Sequence, residues 1–163
     1  MKNVSTKLSF AAALVLPLLL ASCGGSGGTA GQEDDSPEAQ AFHYREGLMT
    51  VIAYEVAHIR GMASGDMPMD EAAFTKSTKD LVTLAGMITQ GFIPNSAVKG
   101  SAALPDIWMN WDDFKQKAAD LQNAAQALSD AASQNGVEQA KSLVQPVGQA
   151  CGGCHRPYRR REE

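Results

Sequence analysis

The sequence predicts an all-α protein, an antiparallel left-handed four-helix bundle, and three observations carry the prediction. Four stretches repeat apolar residues at alternating steps of three and four, the period of a helix that buries one stripe. Aromatic residues make up only 6% of the 163. Alanine is abundant, which suits helices that approach closely, whereas strands draw on β-branched and aromatic residues. No stretch alternates in the period of two that a strand requires, and no internal repeat is visible. Helices of comparable length with heptad-like seams pack as a left-handed bundle. The length allows one domain plus short extras.

The extras come first. Residues 1–22 carry Lys2 and Lys7, an apolar run from Phe10 to Leu20 interrupted by Pro17, and then small residues. That is the pattern of a secretory signal, too short to span a bilayer. Leu20-Ala21-Ser22-Cys23 resembles a bacterial lipobox, after which cleavage leaves Cys23 as a lipidated first residue. An ordinary signal peptide with a cysteine near the cut is the competing reading, but it leaves an unpaired cysteine in an exported chain unexplained. Residues 23–36 are rich in Gly and Ser and carry Gln32-Glu33-Asp34-Asp35 near their end. They read as the lipidated Cys and a flexible solvated linker. The expected location is periplasmic, lipid-anchored to a bacterial membrane, because no later apolar run is long enough to span one.

Residues 37–163 are the bundle. Ser36-Pro37-Glu38 is a helix entrance, with an N-cap Ser, Pro at the first helical position and acid in the first turn. Phe42, Arg45, Met49, Ile52, Val56 and Ile59 follow on one stripe. Arg45 is the anomaly there, since a buried charge is costly without a partner. It either has such a partner or snorkels to the surface. Gly61, Gly65 and Pro68 end this helix, with Met62, Met67 and Met69 packing the end of the bundle. A second helix is expected from about Met69 to Gln90, with Phe74, Thr78, Leu81, Ala85 and Ile88 inward and Gly91 with Pro94 closing it. The stretch from Ile93 to Pro105 has no period and is long enough to be a packed loop with a task. The third helix is expected from Leu104-Pro105-Asp106-Ile107-Trp108 through Trp111, Phe114, Ala118, Leu121, Ala125 and Leu128 to Asn135-Gly136. The fourth runs from Val137 through Val144, Val147, Cys151 and Cys154 to Tyr158. Pro146 should kink it, and Arg159-Arg160-Arg161 should finish it at the negative end of the helix dipole.

Cys151-Gly152-Gly153-Cys154-His155 is the stretch that carries chemistry. C-x-x-C-H is the attachment signature of c-type haem: two thiols add across the vinyl groups and the adjacent imidazole becomes an axial iron ligand. Sulfurs three residues apart share one face of a helical turn, which lets the following His point under the ring. A structural zinc site would need four closely spaced ligands, and no second C-x-x-C or H-x-x-x-H exists here. Attachment after export agrees with the leader. The expected cofactor is one haem c, with its iron, per chain.

With this motif at its C-terminal end, the chain resembles the class II cytochromes c, the cytochrome c′ family. Tyr44-Arg45 in the first helix, the Leu104-to-Trp108 segment, Phe114 and the ending from Cys151 to Arg159 carry the resemblance, which covers about residues 37–161. It implies that Cys151 and Cys154 hold the haem covalently and that His155 binds iron on the solvent side. Arg159 would stand near the proximal imidazole, and Arg45 would pair with a haem propionate. Met49 would occupy the distal pocket over the iron. As a sixth ligand its thioether would make a low-spin electron carrier. Turned aside, it would be an apolar gate that small uncharged ligands such as nitric oxide or carbon monoxide must displace.

The function expected first is a periplasmic haem protein that binds nitric oxide or a similar small gas. The alternative is a Met-ligated electron-transfer cytochrome serving a redox protein partner. A structural haem subunit of a larger complex is a third reading. His43 and His58 read as surface residues rather than competing ligands, and Met87 and Met109 as filler. A formal net charge of −4 gives nucleic-acid binding no support. No nucleophile–base pair or phosphate loop has a recognisable context, so no enzyme activity is expected. The resemblance allows a homodimer through the first two helices, drawing on Val51, Tyr54 and Glu55.

Overall fold

The computed structural model describes residues 35–161, so the leader, Cys23 and most of the linker lie outside the described residues. Four long helices form the molecule: α1 (Pro37–Ser64), α2 (Glu71–Ala85), α4 (Trp111–Gln134) and α6 (Val144–Tyr158), with one-turn helices α3 (Asp106–Met109) and α5 (Val137–Ala140) between them. Among the described residues there is no strand, only an isolated antiparallel bridge between Ala103 and Arg159.

Local chemistry sets the ends of α1 and the start of α2. The Ala39 amide donates to Ser36 Oγ, Pro37 follows the cap, and Gly65 closes the helix at φ 85°, a left-handed value that glycine takes without strain. Asp70 caps α2 by accepting from the Ala73 amide at 3.0 Å.

Three expected boundaries move. The second helix stops at Ala85 rather than Gln90, turns at Gly86 and continues as a 3-10 turn from Ile88 to Gly91. That turn presses against α1 so closely that a Cβ on Gly91 would meet Tyr44 Cδ1 at 2.6 Å and Arg45 Cγ at 2.7 Å. The third helix is interrupted at Asn110, whose φ of −121° and ψ of 45° are not helical, leaving α3 as a separate turn before α4. The fourth is not one kinked helix. Its start breaks into α5 and a 3-10 turn (Lys141–Leu143), and α6 begins at Val144. Pro146 therefore falls in the first turn of α6, where its missing N–H would have had no partner inside the helix. Pro157, the proline beyond the first turn of α6, sits one residue from the end. Arg159 to Arg161 lie beyond the helix instead of finishing it, with Arg159 extended at φ −117°, ψ 132°.

The core runs between α2 and α4. Phe74, Thr78, Leu81 and Ala85 are fully or almost fully buried on α2, as are Phe114, Ala118, Ala125 and Leu128 on α4. Small residues at Ala118, Ala125 and Ala132 let the helices close on one another. An aromatic group finishes one end, with Phe92 4.6 Å from Phe114 and Phe114 edge-on to Tyr158 at 5.5 Å between ring centroids. α1 packs on α2 and α6 packs on α4, whereas α1 and α6 scarcely touch. That gap positions the site.

Candidate haem site

The gap between α1 and α6 is a cavity of about 930 Å³, at the upper end of the roughly 300–1,000 Å³ usual for small-molecule sites. α1 carries two stripes. Leu48, Ile52, Ile59 and Met62 are buried in the core, while Arg45, Met49, Ala53, Val56 and Arg60 line the cavity. Met49 and Val56, expected in a single core stripe, are half-buried on this wall. α6 contributes Cys151, Cys154, His155 and Tyr158, Arg159 follows them, and Gly100 to Ala103 of the connecting loop form part of the rim.

These residues fit a haem. Both cysteines are unpaired, half-buried and on the cavity wall, three residues apart on one helix. The floor is apolar, with Ile88, Phe92, Ile107 and Phe114, as a porphyrin face requires. His155 is exposed at the edge of the same cavity. Among the described residues no three His, Cys, Asp or Glu side chains converge as a metal site.

The electrostatics agree. Burial pushes the Cys151 thiol up, against a smaller opposing pull from Arg60. Burial pushes Cys154 up to about 11, with Lys117 opposing. A charged thiolate is disfavoured here, and a thioether, which carries no charge, suits the setting. Burial first, and Arg159 second, hold His155 below its ordinary value. That keeps the imidazole neutral, the form that ligates metals.

Arg45 is 4% exposed and is not a snorkelling side chain. Its Nη1 donates to Gly91 O at 2.5 Å and Ser96 Oγ at 2.8 Å, and its Nη2 donates to Ser96 O at 2.6 Å and Ser101 Oγ at 3.3 Å. The guanidinium also lies 5.0 Å from the Phe92 ring centroid. All four hydrogen-bond acceptors are neutral, and burial lowers its pKa while the charge on Glu46 works the other way. The result is a buried, hydrogen-bonded cation on the cavity wall with only the more distant charge of Glu46 to offset it.

The remaining expectations divide cleanly. His43 is exposed, the His58 ring packs on Tyr54 at 4.1 Å, and neither lines the cavity. Met62 is buried at the end of the bundle, and Met67 and Met109 are exposed. None of these methionines, nor Met69 or Met87, reaches the cavity. Val51 and Tyr54 are exposed on α1 and Glu55 is half-buried. Sequence reasoning passed over Arg60 and Lys117 on the cavity wall and Ser96 and Ser101 around Arg45. Arg60 was visible in principle, since 45, 49, 53, 56 and 60 keep helical steps. The two serines were not, because no period runs through a loop.

A family model described as Cytochrome C' matches residues 40–159. A cytochrome c-554 from Cereibacter sphaeroides is 34% identical over 122 residues, which cover 72% of this chain and 91% of that protein. Among solved structures, a cytochrome c′ from Rhodobacter Spheriodes superposes with a TM-score of 0.71 at 32% identity, covering 77% of this chain and 98% of that one. A nitric oxide complex of a mutant cytochrome c prime from Alcaligenes xylosoxidans also gives a TM-score of 0.71, at 29% identity, covering 80% and 100%. With the C-x-x-C-H residues on the wall of an apolar cavity in a four-helix bundle, the chain belongs to the cytochrome c′ family, and its cofactor is covalently attached haem c.

Proposed function

We propose that this haem protein binds nitric oxide, with carbon monoxide as a ferrous-state analogue, and works in the periplasm from a lipid on Cys23. The observation that carries the gas-binding reading is the α1 wall of the cavity. Met49, Ala53 and Val56 present only apolar groups there. The one hydroxyl among them, on Thr50, donates back to Glu46 O at 2.8 Å. Between the charged Arg45 and Glu46 at one end and Arg60 at the other, this stretch around Met49 gives a polar ligand little to bond. A small uncharged ligand loses nothing by entering it. The relative with bound nitric oxide supports the same choice.

When bound, the haem would supply an iron able to take a small ligand, and the chain's own residues would decide which. Cys151 and Cys154 hold the ring, and His155 offers a neutral nitrogen to the iron. Arg45, buried and without a salt bridge among the described residues, would meet the propionate charge. Met49 stands one helical turn further along α1 and acts as the gate. Met49 lines the cavity and packs against the edge of the core, and its place on that wall is what supports the second reading, a Met-ligated electron carrier.

Visible spectra of purified holoprotein, ferric and ferrous, before and after nitric oxide, separate the two. A high-spin five-coordinate spectrum that shifts with the gas supports the gate. A low-spin spectrum with a thioether-to-iron band, indifferent to the gas, makes the protein an electron carrier. Binding without catalysis is the proposed role in the first case. The location has its own check: Cys23→Ser should release the protein from the membrane fraction into the soluble periplasm, and retention in the membrane would overturn the lipid anchor.

A further inference from the structure

The loop from Phe92 to Pro105 joins the two walls of the cavity: Ser96 bonds Arg45, and the Ser101 hydroxyl bonds both Arg45 and the segment that reaches α6. Ser101 is 3% exposed. Its Oγ accepts from Arg45 Nη2 at 3.3 Å and from the Ala103 amide at 3.2 Å. Arg45 belongs to α1, one turn before Met49. Ala103 belongs to the bridge with Arg159, which two further bonds flank: the Arg160 amide donates to Ala102 O at 2.8 Å, and the Leu104 amide donates to Tyr158 O at 3.0 Å. That bridge lies four residues after His155 in the chain. Arg159 donates its own amide to His155 O at 3.0 Å.

The rest of the loop is too well anchored to move alone. Ser96 is fully buried and donates its hydroxyl to Ile93 O at 2.7 Å. The Trp108 indole N–H donates to Ile93 O at 2.9 Å. The loop is thus a stiff strap, pinned by Arg45 at one end and by the residues after His155 at the other.

We propose that Ser101 is a positioning residue for the iron-ligating side of the site. It ties the Arg45–Met49 wall of α1 to the bridge that fixes the backbone after His155. A displacement of α1, such as an incoming ligand imposes on Met49, reaches the backbone after His155 through Arg45, Ser101 and the bridge. Neither packing between α1 and α6 nor any direct contact is needed, and the two helices scarcely touch. Because the tie is an equilibrium coupling, loosening either end loosens the other. The proposal rests on His155 as the iron ligand and does not depend on which gas binds.

The test uses haem-loaded full-length protein, with amide hydrogen exchange read residue by residue and the resonance Raman iron–imidazole band of the ferrous form. Ser101→Ala should speed exchange at Ala103, Leu104 and Arg160 by about fivefold, the effect of losing one hydrogen bond. It should also move the iron–imidazole band, with the amides of Leu121 and Leu128 in α4 unchanged. Ser101→Thr keeps the hydroxyl and should keep both parent values. Arg160→Pro removes the amide that bonds Ala102 and should, in return, speed exchange at the Ser101 amide. The proposal is overturned if Ser101→Ala affects Ala103 alone, if the band stays put, or if Arg160→Pro leaves Ser101 protected. Faster exchange throughout α4 overturns it too, since that is global loosening.

Discussion

The α2–α4 side and the α1–α6 side of the molecule are built from helices of the same kind and do opposite things. Between α2 and α4, Phe74, Leu81, Ala125 and Leu128 have no measurable exposure. Small and large residues interdigitate there and leave no space. Between α1 and α6, Met49, Val56, Cys151 and Cys154 are only half-buried, and about 930 Å³ stays open. The difference lies in what each side closes on. The α2–α4 seam completes itself with protein atoms, whereas α1 and α6 face a space that a cofactor fills. Stability should therefore reside on one side and ligand chemistry on the other.

The largest effect expected of any substitution is on the open side and leaves the fold alone. Replacing Cys151 and Cys154 together by Ser should abolish covalent haem altogether, read as loss of haem stain on a denaturing gel, with helical circular dichroism retained. Unfolding of the double variant would show that the cofactor, not the α2–α4 seam, holds the bundle. On the closed side, Phe74→Ala should cost about 3–5 kcal/mol by urea denaturation, because Phe74 has no measurable exposure and lies in the core cluster away from the cavity. A loss under 1 kcal/mol would mean that the seam is not where stability sits.

Val56→Ala sharpens the contrast on the open side. Val56 is half-buried on the cavity wall, so the stability loss should be about 1 kcal/mol or less, while ferrous carbon monoxide binding, followed by flash photolysis, should quicken as the wall recedes. An unchanged binding rate would remove this face of α1 from the ligand's path.

The smallest effect lies where the two sides meet. Tyr158 Oη donates to Asp113 Oδ2 at 2.5 Å, joining α6 to α4. This bond to a carboxylate, foremost, and burial push the phenol up to about 12. The folded state then keeps a proton that the unfolded chain loses near pH 10. The bond's contribution is complete below about pH 10 and is lost as pH rises towards 12. Phenolate absorbance should show one tyrosine titrating near pH 12, and Asp113→Asn should bring that midpoint down. An unmoved midpoint would mean that something other than Asp113 holds the proton.

How much of this was legible beforehand follows the range of the forces involved. The start of α1 could be read from Ser36 and Pro37, and the inward residues of α4 from Phe114 to Leu128, because caps and periods act within a few residues. The end of α2 at Ala85 could not be read, since the break serves the close approach of Gly91 to Tyr44 and Arg45, more than 40 positions earlier in the chain. Pro146 was legible as a helix breaker, but its place in a first turn depended on where α6 began. Arg45 was legible as an anomaly. Its neutral partners, Gly91, Ser96 and Ser101, come from a turn and a loop with no pattern of their own.

By itself, then, the amino-acid sequence determined the helical class, the apolar stripes and the haem-attachment signature Cys151-Gly152-Gly153-Cys154-His155, all of which depend on residues a few positions apart. The tertiary structure alone decided which stripe of α1 faces the core and which faces the cavity, because both keep the same helical period. It also decided that α1 and α6 stand apart, and that a buried serine ties one wall of the site to the other. Those outcomes depend on distant segments competing for the same space, a competition no local pattern records.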